Sequence, residues 1–233
     1  MSIALEEAAV LPLVGLTAFQ AFRMVGAPWT GTNASATSVS GDSSSKVESP
    51  PCLPHVQDMV VVVTSGSGGT GHVALQMAKF VYGVGSLVTA CGPTNVDFCE
   101  AMGADTVVDY TQTDVLETLD DDSVDIVFDN YGAPGTADRA LPKIRSGGFF
   151  IFLPGKGGQL SNSTKEGVTQ VNYGLTDSSN HTTSGLDDLR AMVESGAVKG
   201  HVQESFPLER VADAFAVSFS GSVTGKLGIQ VAP

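Results

Sequence analysis

Three glycines at a fixed spacing stand where an apolar run meets a helical pattern. Residues 59–80 read MVVVVTSGSGGTGHVALQMAKF, in which Gly66, Gly68 and Gly71 have the G-x-G-x-x-G spacing. In such a loop the first glycine permits a tight turn, the second lets the backbone approach a diphosphate, and the third lets helix and strand pack closely. The start of the helix adds unpaired N–H groups and a partial positive charge. The sequence therefore predicts a dinucleotide-binding loop, with a glycine-rich turn that holds no ligand as the alternative; its residues are Ser65, Gly66, Ser67, Gly68, Gly69, Thr70 and Gly71.

The choice between the two nicotinamide dinucleotides depends on the residues about 20 positions after the loop. Proteins that bind NAD usually place an Asp or Glu there to hold the ribose 2′-hydroxyl. Residues 90–95 read ACGPTN and contain no carboxylate. A carboxylate at this position would repel the 2′-phosphate of NADP(H). They also contain no Arg or Lys, so Thr94, Asn95 and backbone amides would bind the phosphate. The sequence weakly favours NADP(H) over NAD(H).

The residue types and their spacing give little indication of a metal site or of a hydrolytic active site. The three cysteines and four histidines have no spacing typical of metal ligands, so we predict no metal site. No Ser/His/Asp order or nucleophile elbow indicates hydrolysis. His72 follows the glycines directly, and we expect it to pack or cap there. We interpret the acidic run at 120–122 as a solvated surface.

Charge and composition exclude several classes of protein. The chain of 233 residues has a formal net charge of −13 and no cluster of Lys and Arg, which argues against nucleic-acid binding. Glu6, Glu7 and Pro12 interrupt the apolar N-terminal stretch, so we predict no transmembrane span. Three cysteines without a disulfide framework suit a reducing, soluble compartment such as the cytoplasm.

From residue 59 onward, short apolar runs alternate with helical patterns. Such alternation implies right-handed crossovers. The sequence therefore predicts an α/β fold, a Rossmann-type doubly wound and mostly parallel sheet with helices on both faces. The predicted strands read MVVVVT, SLVTAC, TVVDY, VDIVFDN and GFFIFLP, followed by VTQVNYGL, HVQESFP and GKLGIQVA.

We divide the chain into three parts. Residues 1–26 form an N-terminal helical segment that Pro12 breaks or kinks. Residues 27–58 are a Ser/Pro-rich insertion or linker, far longer than the ~4–6 residues typical of a connection. Residues 59–233 form the Rossmann dinucleotide-binding domain.

Four blocks of sequence together resemble the medium-chain dehydrogenase/reductase superfamily, in its zinc-independent quinone oxidoreductase branch. They are residues 11–22, 63–79, 89–110 and 200–231, and they read LPLVGLTAFQAF, VTSGSGGTGHVALQMAK, TACGPTNVDFCEAMGADTVVDY and GHVQESFPLERVADAFAVSFSGSVTGKLGIQV. Chloroplast-envelope quinone oxidoreductase-like proteins and alkenal reductases are similar to this chain. The resemblance implies hydride transfer from NADPH to a quinone or an α,β-unsaturated carbonyl, and it adds the plastid as a compartment.

The resemblance also implies site residues on the adenosine side of the cofactor. Cys91, Thr94 and Asn95 would surround the adenosine ribose and its phosphate, and Tyr110 would pack near the adenine. For each position ordinary packing is the alternative, and a buried cysteine is more often a small apolar residue than a ligand.

On the nicotinamide side the resemblance implies three more residues. Asn130 would lie beside the nicotinamide ribose, and Leu153 would border the nicotinamide. Thr17 corresponds to a position that faces the nicotinamide, which makes it a weak candidate for a catalytic residue.

The chain departs from the family pattern at its N-terminal end. Members of the family carry a GroES-like β-rich domain that forms half of the active-site cleft, whereas this sequence starts almost at the block LPLVGLTAFQAF. We therefore expect impaired turnover in an NADP(H)-binding, quinone oxidoreductase-like protein. The alternative is a non-catalytic Rossmann subunit, a scaffold or cofactor-binding part of a larger complex, with residues 27–58 as its contact to a protein partner.

Overall fold

The computed structural model describes residues 3–25, 56–173 and 183–231. Its centre is a parallel sheet of six strands in the order β3-β2-β1-β4-β5-β6. This order confirms the predicted doubly wound fold. The strands are β1 Val60–Val63, β2 Ser86–Cys91, β3 Thr106–Asp109, β4 Val124–Asp129, β5 Ile144–Phe152 and β6 Thr169–Asn172.

Helices cover both faces of this sheet, as predicted. On one face the core joins α1, α2 and α5 to the side chains of Val61, Val63 and Ile126. On the other face Val62 and Val127 pack against α4 and a 3₁₀ turn at Val115–Thr118. The helices are α1 Leu5–Met24, α2 Gly71–Gln76, α3 Val96–Ala101, α4 Thr136–Ala140, α5 Thr183–Glu194 and α6 Val211–Phe219, and α2 continues into a π-helical turn, Met77–Val81.

The predicted break at Pro12 is wrong, because α1 is one helix from Leu5 to Met24 with Pro12 inside it. The fixed φ of proline suits a helix, and the residue costs mainly one backbone hydrogen bond and local crowding. Phe19 and Phe22 of the same helix are buried in the core, and such tertiary packing supplies most of the stability of helices in proteins. By length and composition α1 could also cross a membrane, but more than half of it is buried inside the protein, as in a core helix.

A separate pair of parallel strands lies beside the main sheet. These are β7 Val202–Pro207 and β8 Lys226–Gln230, which pair with each other and have no other strand neighbour among the described residues. The segment before β7 is fixed to α2, since the Gln76 amide donates to Lys199 O at 2.9 Å and accepts from Lys199 N at 2.9 Å. The start of β8 lies next to the glycine loop, where Gly225 N donates to Ser67 O at 2.8 Å.

One of the three predicted parts of the chain falls largely on residues that the structure does not describe. The proposed insertion at 27–58 is described only at its last three residues, Val56–Asp58, which form a 3₁₀ turn. The assignment of residues 1–26, 27–58 and 59–233 to three parts stays a prediction.

Candidate cofactor site

The glycine loop lies at the point where the strand order reverses. It follows β1, which has β2 on one side and β4 on the other. In doubly wound sheets ligands bind in the crevice at this edge. The loop is tied to β2 because Gly66 N donates to Ala90 O at 3.0 Å, and it turns tightly because Gly68 N donates to Ser65 O at 3.4 Å.

The three glycines of the motif serve different purposes. A Cβ on Gly66 would overlap Thr89 Oγ1, and a Cβ on Gly71 would overlap the carbonyl oxygen of Ser65, so both positions need glycine for close packing. A Cβ on Gly68 would meet only Ser65, with Oγ at 3.1 Å. The surface over Gly68 is therefore open, which is where a ligand can approach the backbone.

Several backbone amides of the loop are available to a ligand. Within the described ranges, the N–H groups of Ser67, Gly69 and Thr70 donate no hydrogen bond to the protein. Buried or half-buried N–H groups in proteins are nearly always paired. Unpaired amides at the start of a helix favour an anion such as a diphosphate.

Asn130 holds the loop rather than lining the cleft. Its side-chain oxygen accepts from Ser65 N at 3.0 Å, and its side-chain nitrogen donates to Ser65 O at 3.1 Å. This pair of bonds joins the end of β4 to the start of the loop. Its predicted contact with the nicotinamide ribose stays a prediction.

Asp129, which the sequence reasoning did not select, lies at the floor of the cleft and is 1% exposed. Its Oδ1 accepts from Thr64 Oγ1 at 2.8 Å and from Gly132 N at 3.0 Å, whereas Oδ2 has no partner among the described residues. Burial raises the pKa of this carboxyl, although these hydrogen bonds oppose the shift. Asp129 is the last residue of β4, the strand next to β1, and this position in the sequence was the signal that could have identified it as a site residue.

A cleft of about 560 Å³ opens above these residues. Seven of the predicted site residues line it together, namely Ser65, Ser67, Gly68, Cys91, Thr94, Asn95 and Tyr110. They come from the loop after β1, the end of β2 and the residue after β3. The adenosine-side residues and part of the glycine loop thus form one continuous wall.

The other predicted residues are not among those that line the cleft. Gly66, Gly69, Thr70 and Gly71 form the body of the loop. Leu153 packs against the core, and its N–H donates to Asp129 O at 2.9 Å. Their roles toward a cofactor stay predictions.

Thr17 is 1% exposed within α1, and its hydroxyl donates to Leu13 O at 2.7 Å. The structure does not bring this side chain to the cleft. A hydroxyl that is bonded inside its own helix is poorly placed to reach a substrate. Its catalytic role stays a prediction.

A charged pair that lines the cleft was missed from the sequence. Asp114 and Arg139 both line the cleft, and Asp114 Oδ2 lies 2.8 Å from Arg139 Nε. Asp114 also caps the Val115–Thr118 turn by accepting from Leu116 N at 2.9 Å. Arg139 comes from α4, 25 residues away in sequence, so no local pattern could reveal the contact.

His72 packs beneath the loop, in line with the expected structural role. Its Nδ1 lies 3.0 Å from Gly68 O, and His201 N donates to its Nε2 at 3.2 Å. These two bonds require the neutral ring with its proton on Nδ1. Burial lowers the pKa of the imidazole. The ring thereby joins the glycine loop to the segment that leads into β7.

The two described cysteines are free, and burial raises the pKa of both thiols. A thiol that is held neutral is a poor nucleophile, so Cys91 meets the cleft as an apolar surface. Within the described ranges, no group of three or more His, Cys, Asp or Glu side chains could hold a metal ion.

Comparison with known proteins agrees with this geometry. Residues 102–227, more than half of the chain, match the family model described as zinc-binding dehydrogenase. The chain is 32% identical over 175 residues to the NADPH-dependent alkenal/one oxidoreductase, chloroplastic, of Arabidopsis thaliana, covering 74% of this chain and 41% of the relative. It is 28% identical over 229 residues to the chloroplast envelope quinone oxidoreductase homolog of Arabidopsis thaliana, covering 96% of this chain and 61% of the relative.

Solved structures give the same fold. The quinone oxidoreductase of Escherichia coli complexed with NADPH matches with a TM-score of 0.74 at 20% identity, over 98% of this chain and 66% of that chain. The present chain thus spans about half the length of the curated relatives it matches. The chain belongs to the zinc-binding dehydrogenase family, within the medium-chain dehydrogenase/reductase superfamily.

Proposed function

We propose that the chain binds NADP(H) in the cleft above the glycine loop. One observation carries the proposal: the unpaired N–H of Ser67 and the open surface over Gly68 border a cleft of about 560 Å³ at the switch point of the sheet, and the unpaired N–H groups of Gly69 and Thr70 follow them in the same loop. Diphosphates bind at such loops in doubly wound folds. A relative is named as NADPH-dependent, and a solved structure with the same fold is complexed with NADPH.

The preference for NADP(H) over NAD(H) rests on the end of β2. Thr94 and Asn95 line the cleft there, where proteins that bind NAD usually carry an acidic residue. Asn95 is fixed because its Oδ1 accepts from Thr224 Oγ1 at 2.8 Å. Small polar groups at this position leave room for a 2′-phosphate and do not repel it.

We propose further that this chain is the cofactor part of a reductase that transfers hydride from NADPH to a quinone or an α,β-unsaturated carbonyl. The names of the relatives support this substrate class. Bound NADPH would supply the hydride. The residues of this chain would hold the diphosphate, fix the adenosine and shield one side of the reaction from water, which is the kind of positioning that hydride transfer needs.

Zinc-independent chemistry is part of the same proposal. It follows from the resemblance of the four sequence blocks to the zinc-independent quinone oxidoreductase branch. We place the protein in a reducing compartment, the cytoplasm or the plastid, because Cys91 and Cys99 are free and two relatives are named as chloroplast proteins.

A second candidate function is a subunit that binds the dinucleotide without turnover or serves as a scaffold in a larger complex. The position of Thr17 favours it, because the one catalytic candidate is buried and bonded to Leu13 O. A further wall of the cleft, from outside this chain, would then be needed for catalysis. A protein partner that binds residues 27–58 belongs to this candidate.

One titration separates these functions. NADPH is added to the purified chain and followed by its fluorescence, first alone and then with a quinone or an enone. Saturable binding followed by oxidation supports the reductase, and binding without oxidation supports the non-catalytic cofactor subunit. If no binding is seen up to millimolar NADPH, the proposed cofactor function is wrong and the scaffold remains.

A further inference from the structure

A lysine from the second sheet lies against the glycine loop. Lys226 is the first residue of β8. A Cβ built on Gly69 would lie 2.7 Å from Lys226 Cδ and 3.5 Å from Lys226 Nζ. The absence of a side chain at position 69 therefore makes room for the lysine, and the ammonium group lies beside the backbone of the loop.

The backbone around Lys226 is fixed to the loop independently of its side chain. Gly225 N donates to Ser67 O at 2.8 Å, and Lys226 N donates to His201 O at 3.0 Å. Gly225 has a φ of +66°, which favours glycine, and a Cβ there would also crowd His201. The root of the lysine side chain is thus held next to residues 67–69.

The ammonium group of Lys226 has no partner among the described residues. By contrast, the ammonium groups of Lys79, Lys143 and Lys165 lie 2.6–2.8 Å from aspartate oxygens. A half-buried lysine whose ammonium group has no partner is unexpected in a chain with a net charge of −13. Next to it, the N–H groups of Gly69 and Thr70 also lack protein partners.

Lys226 lies where two hollows adjoin. A hollow of about 350 Å³ is lined by Lys226 and Gly69, and it shares Gly221 and Val223 with the cofactor cleft. The ammonium group is therefore open to a ligand that extends from the cleft along the loop. Three unpaired donors around Gly69, one of them charged, fit a ligand with several negatively charged oxygens.

We infer that Lys226 binds the diphosphate of the dinucleotide, from its position beside Gly69 of the loop. The inference rests on the proposed function, since it assigns a side chain to the cofactor site. In this arrangement the loop amides contact the diphosphate oxygens as neutral donors, and Lys226 adds a charge-assisted hydrogen bond. The second sheet thereby contributes to the site, although it pairs with no strand of the main sheet within the described ranges.

The test compares the wild type with Lys226→Met by calorimetric titration with NADH and with NADPH. A hydrogen bond to a charged group contributes enough that its loss should raise Kd at least about 10-fold. Because NADH and NADPH both carry the diphosphate, Lys226→Met should raise the two Kd values by the same factor. Lys226→Arg, which keeps the charge, should recover most of the affinity, and the melting temperature without ligand shows whether each variant is folded.

The matched control is Lys165→Met, which removes the same charge at an ion pair with Asp122 on the surface. It should leave both Kd values within about two-fold of the wild type, because solvent and salt screen the effect of a surface charge on a ligand that it does not contact. Equal affinities of Lys226→Met and the wild type would overturn the inference and leave the proposed function intact. A loss restricted to NADPH would also overturn it, by placing the lysine at the 2′-phosphate. Failure of the wild type to bind either ligand would reject both.

Discussion

At the residue scale, the glycines of the loop make different demands on the backbone. We expect Gly71→Ala to lower the free energy of unfolding by at least about 1–3 kcal/mol. The added Cβ would overlap Ser65 O, and the backbone would have to shift to remove the overlap. Gly68→Ala is the matched control. Its Cβ would lie 3.1 Å from Ser65 Oγ, a side chain that can rotate, so stability should change by less than about 0.5 kcal/mol. Urea unfolding measures both, and equal losses would contradict these roles.

His72 gives the protein a stability that depends on pH. Burial holds the pKa of the folded imidazole below its ordinary value of 6.5, so the unfolded chain binds more protons in this range. The contribution of His72 is complete above pH 6.5 and is lost as pH falls through 6.5 toward the lower folded value. We expect His72→Gln to cost about 1–3 kcal/mol at pH 7.5, through its two lost hydrogen bonds, and less at pH 5.

The comparison uses the difference in unfolding free energy between wild type and His72→Gln at each pH. Taking this difference cancels the titrating groups that lie far from His72 and do not interact with it. A difference that stays constant from pH 7.5 to pH 5 would show that the folded protein tolerates a charged imidazole at this position.

Single residues of the site were predictable to different degrees. The glycine spacing and the stretch ACGPTN have local patterns, and Cys91, Thr94, Asn95 and Tyr110 do line one cleft. Asp129 and Arg139 could not be found in this way, since their importance depends on strands and helices that meet only after folding. Lys226 is still more remote, because it comes from a strand outside the main sheet.

At the scale of elements, a buried carboxylate joins three strands at the edge opposite to the cleft. Asp125 of β4 is 3% exposed, its Oδ2 accepts from Val60 N at 2.7 Å, and its Oδ1 lies 3.5 Å from Arg145 Nε. We expect Asp125→Ala to destabilise the protein by about 1.5–3 kcal/mol, because it leaves the backbone N–H of Val60 without its charged acceptor and removes the carboxylate beside Arg145. Urea unfolding measures the loss.

Asp121→Ala is the control for that experiment. Asp121 also pairs with a cation, Lys143 at 2.7 Å, but its side chain is 66% exposed. Loss of an exposed ion pair should cost no more than about 1 kcal/mol. Similar losses for Asp121→Ala and Asp125→Ala would mean that burial does not set the strength of these pairs.

The sequence predicted the order and type of the helices and strands better than it predicted where each strand begins and which strands pair. β5 starts at Ile144, several residues before the predicted run GFFIFLP, because its pairing with β4 contains a bulge near Gly147, where φ is +88°. The pairing of β7 with β8 was not predicted either. Strand partners far apart in sequence leave no periodic signal, whereas the alternation of apolar runs and helices does.

At the scale of the whole molecule, the main sheet has an apolar core on each face, and the second sheet contacts this body at α2 and the glycine loop. If NADPH binds between them, it should stabilise the native state alone. At a concentration 100-fold above Kd, we expect NADPH to add about 2.7 kcal/mol to the free energy of unfolding. Adenosine, which lacks the phosphates, is the control and should add much less. Equal effects of the two ligands would deny any role to the diphosphate.

The most direct test of whether the glycine loop binds the diphosphate is a titration of the ¹⁵N-labelled chain with NADPH, followed through the backbone amide resonances. The account predicts that the amides of Ser67, Gly69 and Thr70 shift first and furthest, together with those at the end of β2, while residues 120–122 stay unchanged. Saturable shifts that leave out the glycine loop, or no shifts at millimolar NADPH, would contradict the claim that this loop binds the diphosphate of a dinucleotide.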